Sequence, residues 1–279
     1  MKFSQAFNDV NGSVSDFLTG GADLPDPLLT DLKAVVHQHA TSHPRHLQAR
    51  LGPSEIGHPC LRKLAQGLLF GGEHGVTSDG PAPRINPPGD PLPSYIGVAA
   101  HAKMEDAVAL DNERLVSQGM PPRWLSEHKV TVREDLTGTC DLYDLYTHTV
   151  IDFKFPGTTA MTEYRKNGPS PEYKVQAHCY GRGYVNEGYP VARVGIWFLP
   201  RAGQLATSHL WTEPYDDGIV DTALSRIDLA VAMIDDLKVD DHPERLALIP
   251  RTPWHCNWCP YWSPLAEHPN PVACPGDSR

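Results

Sequence analysis

Asp141, Asp152 and Lys154 are the side chains in this chain best placed for chemistry. They lie in GTCDLYDLYTHTVIDFKF, residues 138–155, with Asp152 eleven positions after Asp141. Two strand-length runs with a tight turn at Thr147, His148 and Thr149 fit that interval, so the two carboxylates come to one end of adjacent strands. Side chains alternate along a strand. Asp152 and Lys154 therefore share one face of VIDFKF, and Ile151, Phe153 and Phe155 share the other. An acid and a lysine opposite an apolar face is poor packing chemistry unless that face is a site. Two carboxylates, with the Phe153 carbonyl as a third oxygen, suit Mg²⁺ or Mn²⁺. Such an ion polarises a phosphodiester and lowers the pKa of a bound water. Lys154 would orient that water or offset the charge that builds at phosphorus.

D-x-K is short and also fits a surface hairpin with an ion pair, so its surroundings decide. His101 sits in GVAAHAKMEDA with Glu105 one helical turn later, a pair on one helix face. Imidazole beside a carboxylate can complete a metal site. Gln176 and Tyr180 in KVQAHCYG form a second such pair. Glutamine can hold water or phosphate, and tyrosine can donate to phosphate or stack on a base. Glu127, just before HKVTV, is an additional acid that also reads as a strand-edge surface charge.

The elements that must carry these residues are legible in outline. Leu61, Leu64, Leu68 and Leu69 have helical spacing, and residues 96–117 read as a long helix. Between them, residues 71–93 are dense in Gly and Pro and read as a long exposed loop. Strands are expected at 128–132, 140–147, 150–155, 192–199 and 205–211, and helices at 171–189 and 215–238. Pro171 is suited to the first turn of its helix. Ile219, Leu224, Ile227, Val231 and Ile234 form one apolar face of the last helix. The order implies an α/β fold, a mixed central sheet flanked by helices. The corresponding regions are an N-terminal helical part (1–95), a core (96–212) and a cysteine-rich C-terminal part (213–279).

The chain has 279 residues and a formal net charge of −10. That charge argues against coating nucleic acid by bulk electrostatics, but leaves room for a local basic groove. Arg62, Lys63, Lys166 and Lys174 are its candidates. No apolar run reaches the ~18 residues of a membrane span. The first twenty residues lack a signal-peptide core, so a cytoplasmic protein is expected. Six cysteines in that compartment are free, catalytic or metal-bound rather than paired. No GxxxxGK[ST] phosphate loop is present.

Taken together, the motifs resemble the PD-(D/E)XK nuclease superfamily, and within it the RecB-like branch. Its pattern is GxxxH on a helix, GxxD on a strand, (D/E)xK on the next strand and QxxxY on a helix. Gly97 with His101, Gly138 with Asp141, Asp152 with Lys154, and Gln176 with Tyr180 match it in order. The resemblance implies a restriction-endonuclease-like core. It makes His101, Asp141 and Asp152 metal ligands and Lys154 the catalytic lysine, with Gln176 and Tyr180 completing the wall. It also implies a metal-dependent exonuclease acting on DNA ends, single strands in particular, in recombination or repair.

Cys60 in IGHPCLRK, Cys256 and Cys259 in HCNWCP, and Cys274 in ACPG resemble the four thiolates of the branch's iron–sulfur members. These are the AddB nuclease domain and CRISPR-associated RecB-like exonucleases, some of them phage-encoded. There a [4Fe–4S] cluster clasps the N- and C-terminal parts around the core. The fourteen residues between Cys259 and Cys274 depart from the family's short last spacing. A loop insertion accounts for this, and so does a Zn²⁺ site with His255 or His268 as fourth ligand. Trp254, Trp258, Tyr261 and Trp262 would shield a cluster or form the core of the tail. Cys140 and Cys179, among apolar neighbours, read as buried free thiols. Two other functions stay open: a non-catalytic DNA-binding or redox-sensing iron–sulfur protein, and a zinc-stapled module of a recombination complex. A homo-oligomer or a recombination-protein partner fits relatives of this kind.

Overall fold

The computed structural model describes residues 27–42, 51–70, 76–77, 80–81, 85–86, 89–264, 270 and 272–276. The chain divides into two compact units, residues 1–41 and 42–279. The helix α1 (Pro27–Ser42) is the described part of the first, and exposes Leu28, Leu29, Leu32 and Val35.

The second unit begins with two helices, α2 (Pro53–Ile56) and α3 (Leu61–Phe70), and a minimal antiparallel pair, β1 (Val76–Thr77) and β2 (Gly80–Pro81). The long helix α4 (Leu92–Ser117) leads into β3 (Trp124–Arg133), β4 (Leu136–Asp144) and β5 (Thr149–Lys154). Helices α5 (Thr158–Asn167) and α6 (Pro171–Asn186) cross to β6 (Arg193–Phe198), followed by β7 (His209–Pro214) and α7 (Asp217–Leu237). The five long strands form one sheet in the order β3-β4-β5-β6-β7, with only β5 and β6 parallel. This is the α/β architecture with a mixed central sheet flanked by helices that the sequence predicts. A parallel pair needs a crossover connection, and α5 with α6 supplies it.

Helix α6 covers the sheet. Ala177, Tyr180 and Tyr184 bury among Val130, Cys140, Tyr143, Val150, Val194 and Ile196. The contact is close enough that a Cβ on Gly183 would lie 2.5 Å from Val130 Cβ. The helix starts as expected: Pro171 occupies its first turn, and Ser170 Oγ accepts from the Tyr173 amide. A second core joins α2, β3, α6 and α7 through Ile56, Val132, Cys179, Val220 and Ile227. A third joins α3 to α7 and the C-terminal segment through Leu64, Ala65, Ala230, Leu246, Ile249 and Val272.

Several features differ from the sequence reading. The strand expected to reach residue 147 ends at Asp144, and Thr149 belongs to β5 rather than the turn. Asp144 is the cause: its carboxylate accepts from the Tyr146 amide at 3.0 Å and the Thr147 hydroxyl at 2.7 Å, folding the chain back. Residues 205–207 form a 3₁₀ turn, with β7 starting at His209. Helix α5 has no apolar period to announce it, since Met161 is its one buried residue. The segment expected as an exposed loop at 71–93 is anchored at Ile85 and Asn86, whose amides both donate to Pro260 O at 2.9 Å. No helix among the described residues is long and apolar enough to cross a membrane.

Candidate active site and metal centre

The site forms where the sheet parts. Strands β4 and β5 pair at Asp144↔Thr149, Tyr143↔Val150 and Leu142↔Ile151, and the ladder stops there. One step further, Asp141 and Asp152 stand opposite each other. Two facing carboxylates repel, and the strands diverge: the Phe153 amide donates to Asp141 Oδ2 at 2.6 Å instead of to a backbone carbonyl. On the other side of β4, the pairs Ser126↔Leu142 and His128↔Cys140 place Glu127 opposite Asp141. Glu127, Asp141 and Asp152 thus form a row of three acids across three neighbouring strands.

Helix α4 brings His101 to this row, with Nδ1 3.2 Å from Asp141 Oδ1. Its ring packs edge-on to Phe155, with centroids 5.2 Å apart, and tilted against Phe153 at 6.1 Å. One ligand atom each from His101, Glu127 and Asp141 lies within 4.8 Å of the other two. Glu105, the carboxylate one turn along α4, points to solvent instead and takes no part. His101 Nδ1 and Asp152 Oδ2 are buried, yet neither makes a hydrogen bond of good geometry. Buried polar atoms are ordinarily satisfied. A nitrogen lone pair and a carboxylate left in this state suit a divalent cation.

The opposite wall is ordered by hydrogen bonds. Lys154 Nζ lies 2.6 Å from Asp152 Oδ2 and donates to Gln176 Oε1 at 3.0 Å. Gln176 Nε2 continues the chain to the Tyr180 hydroxyl at 3.0 Å. The ammonium also sits 4.7 Å from the centre of the Tyr173 ring. Burial raises the Asp152 carboxyl to about 6, reinforced by the charge of Asp141 and opposed by Lys154. Burial likewise pushes the Tyr180 phenol well above its ordinary range, so it stays a neutral hydroxyl. The two motif glycines differ in purpose. A Cβ on Gly138 would meet Pro53 Cγ at 2.7 Å and the Tyr180 ring at 3.0 Å, whereas a Cβ on Gly97 would meet nothing within 4 Å.

His101, Asp141, Asp152, Lys154, Gln176 and Tyr180 therefore converge, with Phe153 joining through its amide. Glu127, read from the sequence as an additional acid or a strand-edge charge, is brought to the row by strand register. One residue enters that the sequence reading did not single out. Tyr173 stands one helical turn before Gln176, a spacing that could have signalled it. The basic groove needs correction. Arg62 is 8% exposed and donates to Ile249 O at 2.9 Å and Ala247 O at 2.6 Å, so it is a packing residue of the interior. Its guanidinium caps the carbonyls at the end of a 3₁₀ turn over Pro243–Leu248. Lys63 lines a cavity among the cysteines. Lys174 lies 3.4 Å from Glu213 and over the Trp211 ring at 4.9 Å, and Lys166 is exposed on α5.

Cys60, Cys256, Cys259 and Cys274 all line that cavity, together with His58, Trp254 and Trp262. The long Cys259–Cys274 interval closes on itself. Trp262 bridges Cys274 in parallel, and the Cys274 amide donates to Tyr261 O at 2.7 Å. His255 is exposed and outside the cavity walls, and His268 lies outside the described residues. Trp258 is 69% exposed, while Tyr261 is buried against Phe70. Cys140 and Cys179 are fully buried in the α6 cores, as their neighbours imply.

No family model and no curated protein matches the sequence. Among solved structures, the chain is similar to a phage-related exonuclease from Haemophilus somnus 129PT. Identity is 16% and the TM-score 0.40, over 65% of this chain and 82% of that one. It is also similar to the alkaline exonuclease LHK-Exo from Laribacter hongkongensis, at 13% identity and a TM-score of 0.37, over 53% of this chain and 72% of that one.

Proposed function

We propose that this chain is a divalent-metal-dependent deoxyribonuclease that hydrolyses phosphodiester bonds at DNA ends. The observation that carries the reading is the Lys154 ammonium, fixed 2.6 Å from Asp152 at the point where β4 and β5 part around two acids. A packing role does not require two facing carboxylates, an imidazole and an immobilised lysine in one opening. His101, Asp141 and Asp152 would hold Mg²⁺ or Mn²⁺, with the Phe153 carbonyl as a further oxygen. That ion supplies Lewis-acid polarisation of the phosphate and a more acidic water. Lys154 places positive charge beside the scissile phosphate, where negative charge develops. Gln176 and Tyr180 keep the ammonium aimed, and the neutral Tyr180 hydroxyl adds no competing charge. Action at ends, on single strands in particular, and a place in recombination or repair follow from the motif resemblance. The intact lysine–carboxylate set argues against a purely DNA-binding protein.

The four cysteines belong to the same reading as a [4Fe–4S] site. All four line one cavity together with His58, Trp254 and Trp262, and four thiolates turned to one space suit such a cluster, with a zinc staple as the alternative.

The test is incubation with 5′- and 3′-labelled single- and double-stranded DNA in Mg²⁺, Mn²⁺ or EDTA. Cleavage should require the metal. Lys154→Ala should lower turnover by about 100- to 1,000-fold. Asp152→Ala should abolish cleavage while DNA binding persists. Undiminished cleavage by either variant overturns the assignment.

A further inference from the structure

Glu127 has a backbone that its sequence position does not explain. It lies inside β3 with φ +46°, a left-handed conformation. A glutamate there costs on the order of 1–3 kcal/mol, and such residues persist where their surroundings impose them. The distortion is confined to one residue. The pairs Ser126↔Leu142 and His128↔Cys140 flank it in unbroken register, and the ladder's irregularity lies further along, between Thr131 and Arg133. No inserted residue or bulge accounts for it. Its outcome is local: the half-buried Glu127 side chain meets His101 and Asp141.

From this we infer that Glu127 is a direct ligand of the cation at this centre, and that the left-handed backbone is what delivers it. The inference rests on the metal-dependent reading above and extends its ligand set. Around one octahedral ion with bonds of 2.0–2.1 Å, neighbouring ligand atoms lie about 3 Å apart and opposite ones about 4.2 Å apart. The His101, Glu127 and Asp141 ligand atoms lie within 4.8 Å of one another, within reach of that geometry. Electrostatics point the same way. Asp141 and Asp152 are buried and face each other; the Lys154 ammonium lies against Asp152, and Glu127 adds a carboxylate on the Asp141 side, beside His101, where a divalent cation would gather all three. His101 Nδ1, buried without a well-formed hydrogen bond, is aimed into the same space.

The experiment is calorimetric titration of the full chain with Mn²⁺ in the absence of DNA. Melting with and without Mn²⁺ gives a second readout, because a ligand bound to the folded state raises its melting temperature. Glu127→Gln keeps size and removes charge, Glu127→Gly frees the backbone, and Asp141→Asn is the reference. We expect both Glu127 variants to bind Mn²⁺ at least tenfold more weakly, with a smaller Mn²⁺-induced rise in melting temperature. Parental Mn²⁺ affinity in Glu127→Gln, with affinity lost in Asp141→Asn, overturns this inference and leaves the metal site standing. Parental affinity in Asp141→Asn as well overturns the metal site and the inference together.

Discussion

Three groups hold the Lys154 ammonium: the Asp152 carboxylate at 2.6 Å, the Gln176 amide oxygen at 3.0 Å and the Tyr173 ring at 4.7 Å. The first two fix its distance from the acids. The Tyr173 ring lies over the remaining side, held by its place on the first turn of α6 and its packing on Tyr164. A cation over a desolvated aromatic face is worth about 1–2 kcal/mol, or roughly five- to thirtyfold in rate if it is spent on positioning. Tyr173→Leu should therefore lower kcat by about tenfold with little change in KM for DNA, and Tyr173→Phe, which keeps the ring, should stay within about threefold of the parent. Equal losses in both would place the effect in the hydroxyl rather than the ring. At this scale the sequence showed residues whose neighbours in the chain form a pattern: Asp152 with Lys154, Gln176 with Tyr180. It left Glu127 between an extra acid and a strand-edge charge, because its neighbours arrive from β4 and α4. It misplaced Arg62, because a guanidinium that caps buried carbonyls is written with the same letter as one that meets phosphate.

Hairpin β4–β5 sets the separation of Asp141 and Asp152, and its turn is built by one residue. Asp144 receives Arg123 in a two-pronged contact, Nε to Oδ1 at 2.9 Å and Nη2 to Oδ2 at 2.7 Å, besides the Tyr146 amide and the Thr147 hydroxyl. Burial pushes the Asp144 carboxyl up, but these donors outweigh it and bring the group down to about 2. A carboxyl lowered on folding stabilises the protein above its unfolded value of about 3.9, and that contribution drains away as pH falls toward 2. Asp144→Asn should accordingly cost about 2 kcal/mol near neutral pH. The gap to the parent should close between about pH 4 and pH 2, which urea titrations at pH 6 and pH 2.5 would measure. A gap that is the same at both values would mean that shape, not charge, makes the turn. The same residue explains why the strand boundary was hard to read. Leu145, Tyr146 and Thr147 favour a strand by type, and only the side-chain bonds of Asp144 turn them aside. Helix α5 escaped for the opposite reason, having one buried residue and no stripe for periodicity to detect.

Across the molecule, the cysteine cavity and the lysine wall are joined mechanically at the first turn of α6. The chain before Cys60 presses on that turn through α2, where a Cβ on Gly57 would lie 2.8 Å from Glu172 Cα. The chain around Cys256 reaches the same turn, since Trp254 lines the cavity and its indole donates to the Glu172 carboxylate. Tyr173, against Lys154, is the next residue. The family resemblance implied a link between these cysteines; the contacts on the first turn of α6 became visible only in the packing of α2 and α6. Contacts other than thiolates also join α3 to the C-terminal segment. Arg62 N–H donates to Pro250 O at 3.0 Å, Gln66 Nε2 to Val272 O at 2.6 Å, and the core of α3 continues into α7. Removing one cysteine should therefore loosen the closure without unravelling the sheet. We expect the purified parent to carry iron and a brown colour, and Cys60→Ala to lose both. Its melting temperature should fall by about 10 °C or more, the loss of a structural metal being worth several kcal/mol. Its kcat should fall as well, even below that melting transition, because the first turn of α6 no longer holds Tyr173 against Lys154. The discriminating comparison is Trp254→Phe, which keeps the four thiolates and breaks only the bond to Glu172. It should retain iron yet share part of the drop in kcat. If Cys60→Ala is iron-free but melts and turns over like the parent, the four thiols are packing groups and α6 is held by its cores alone.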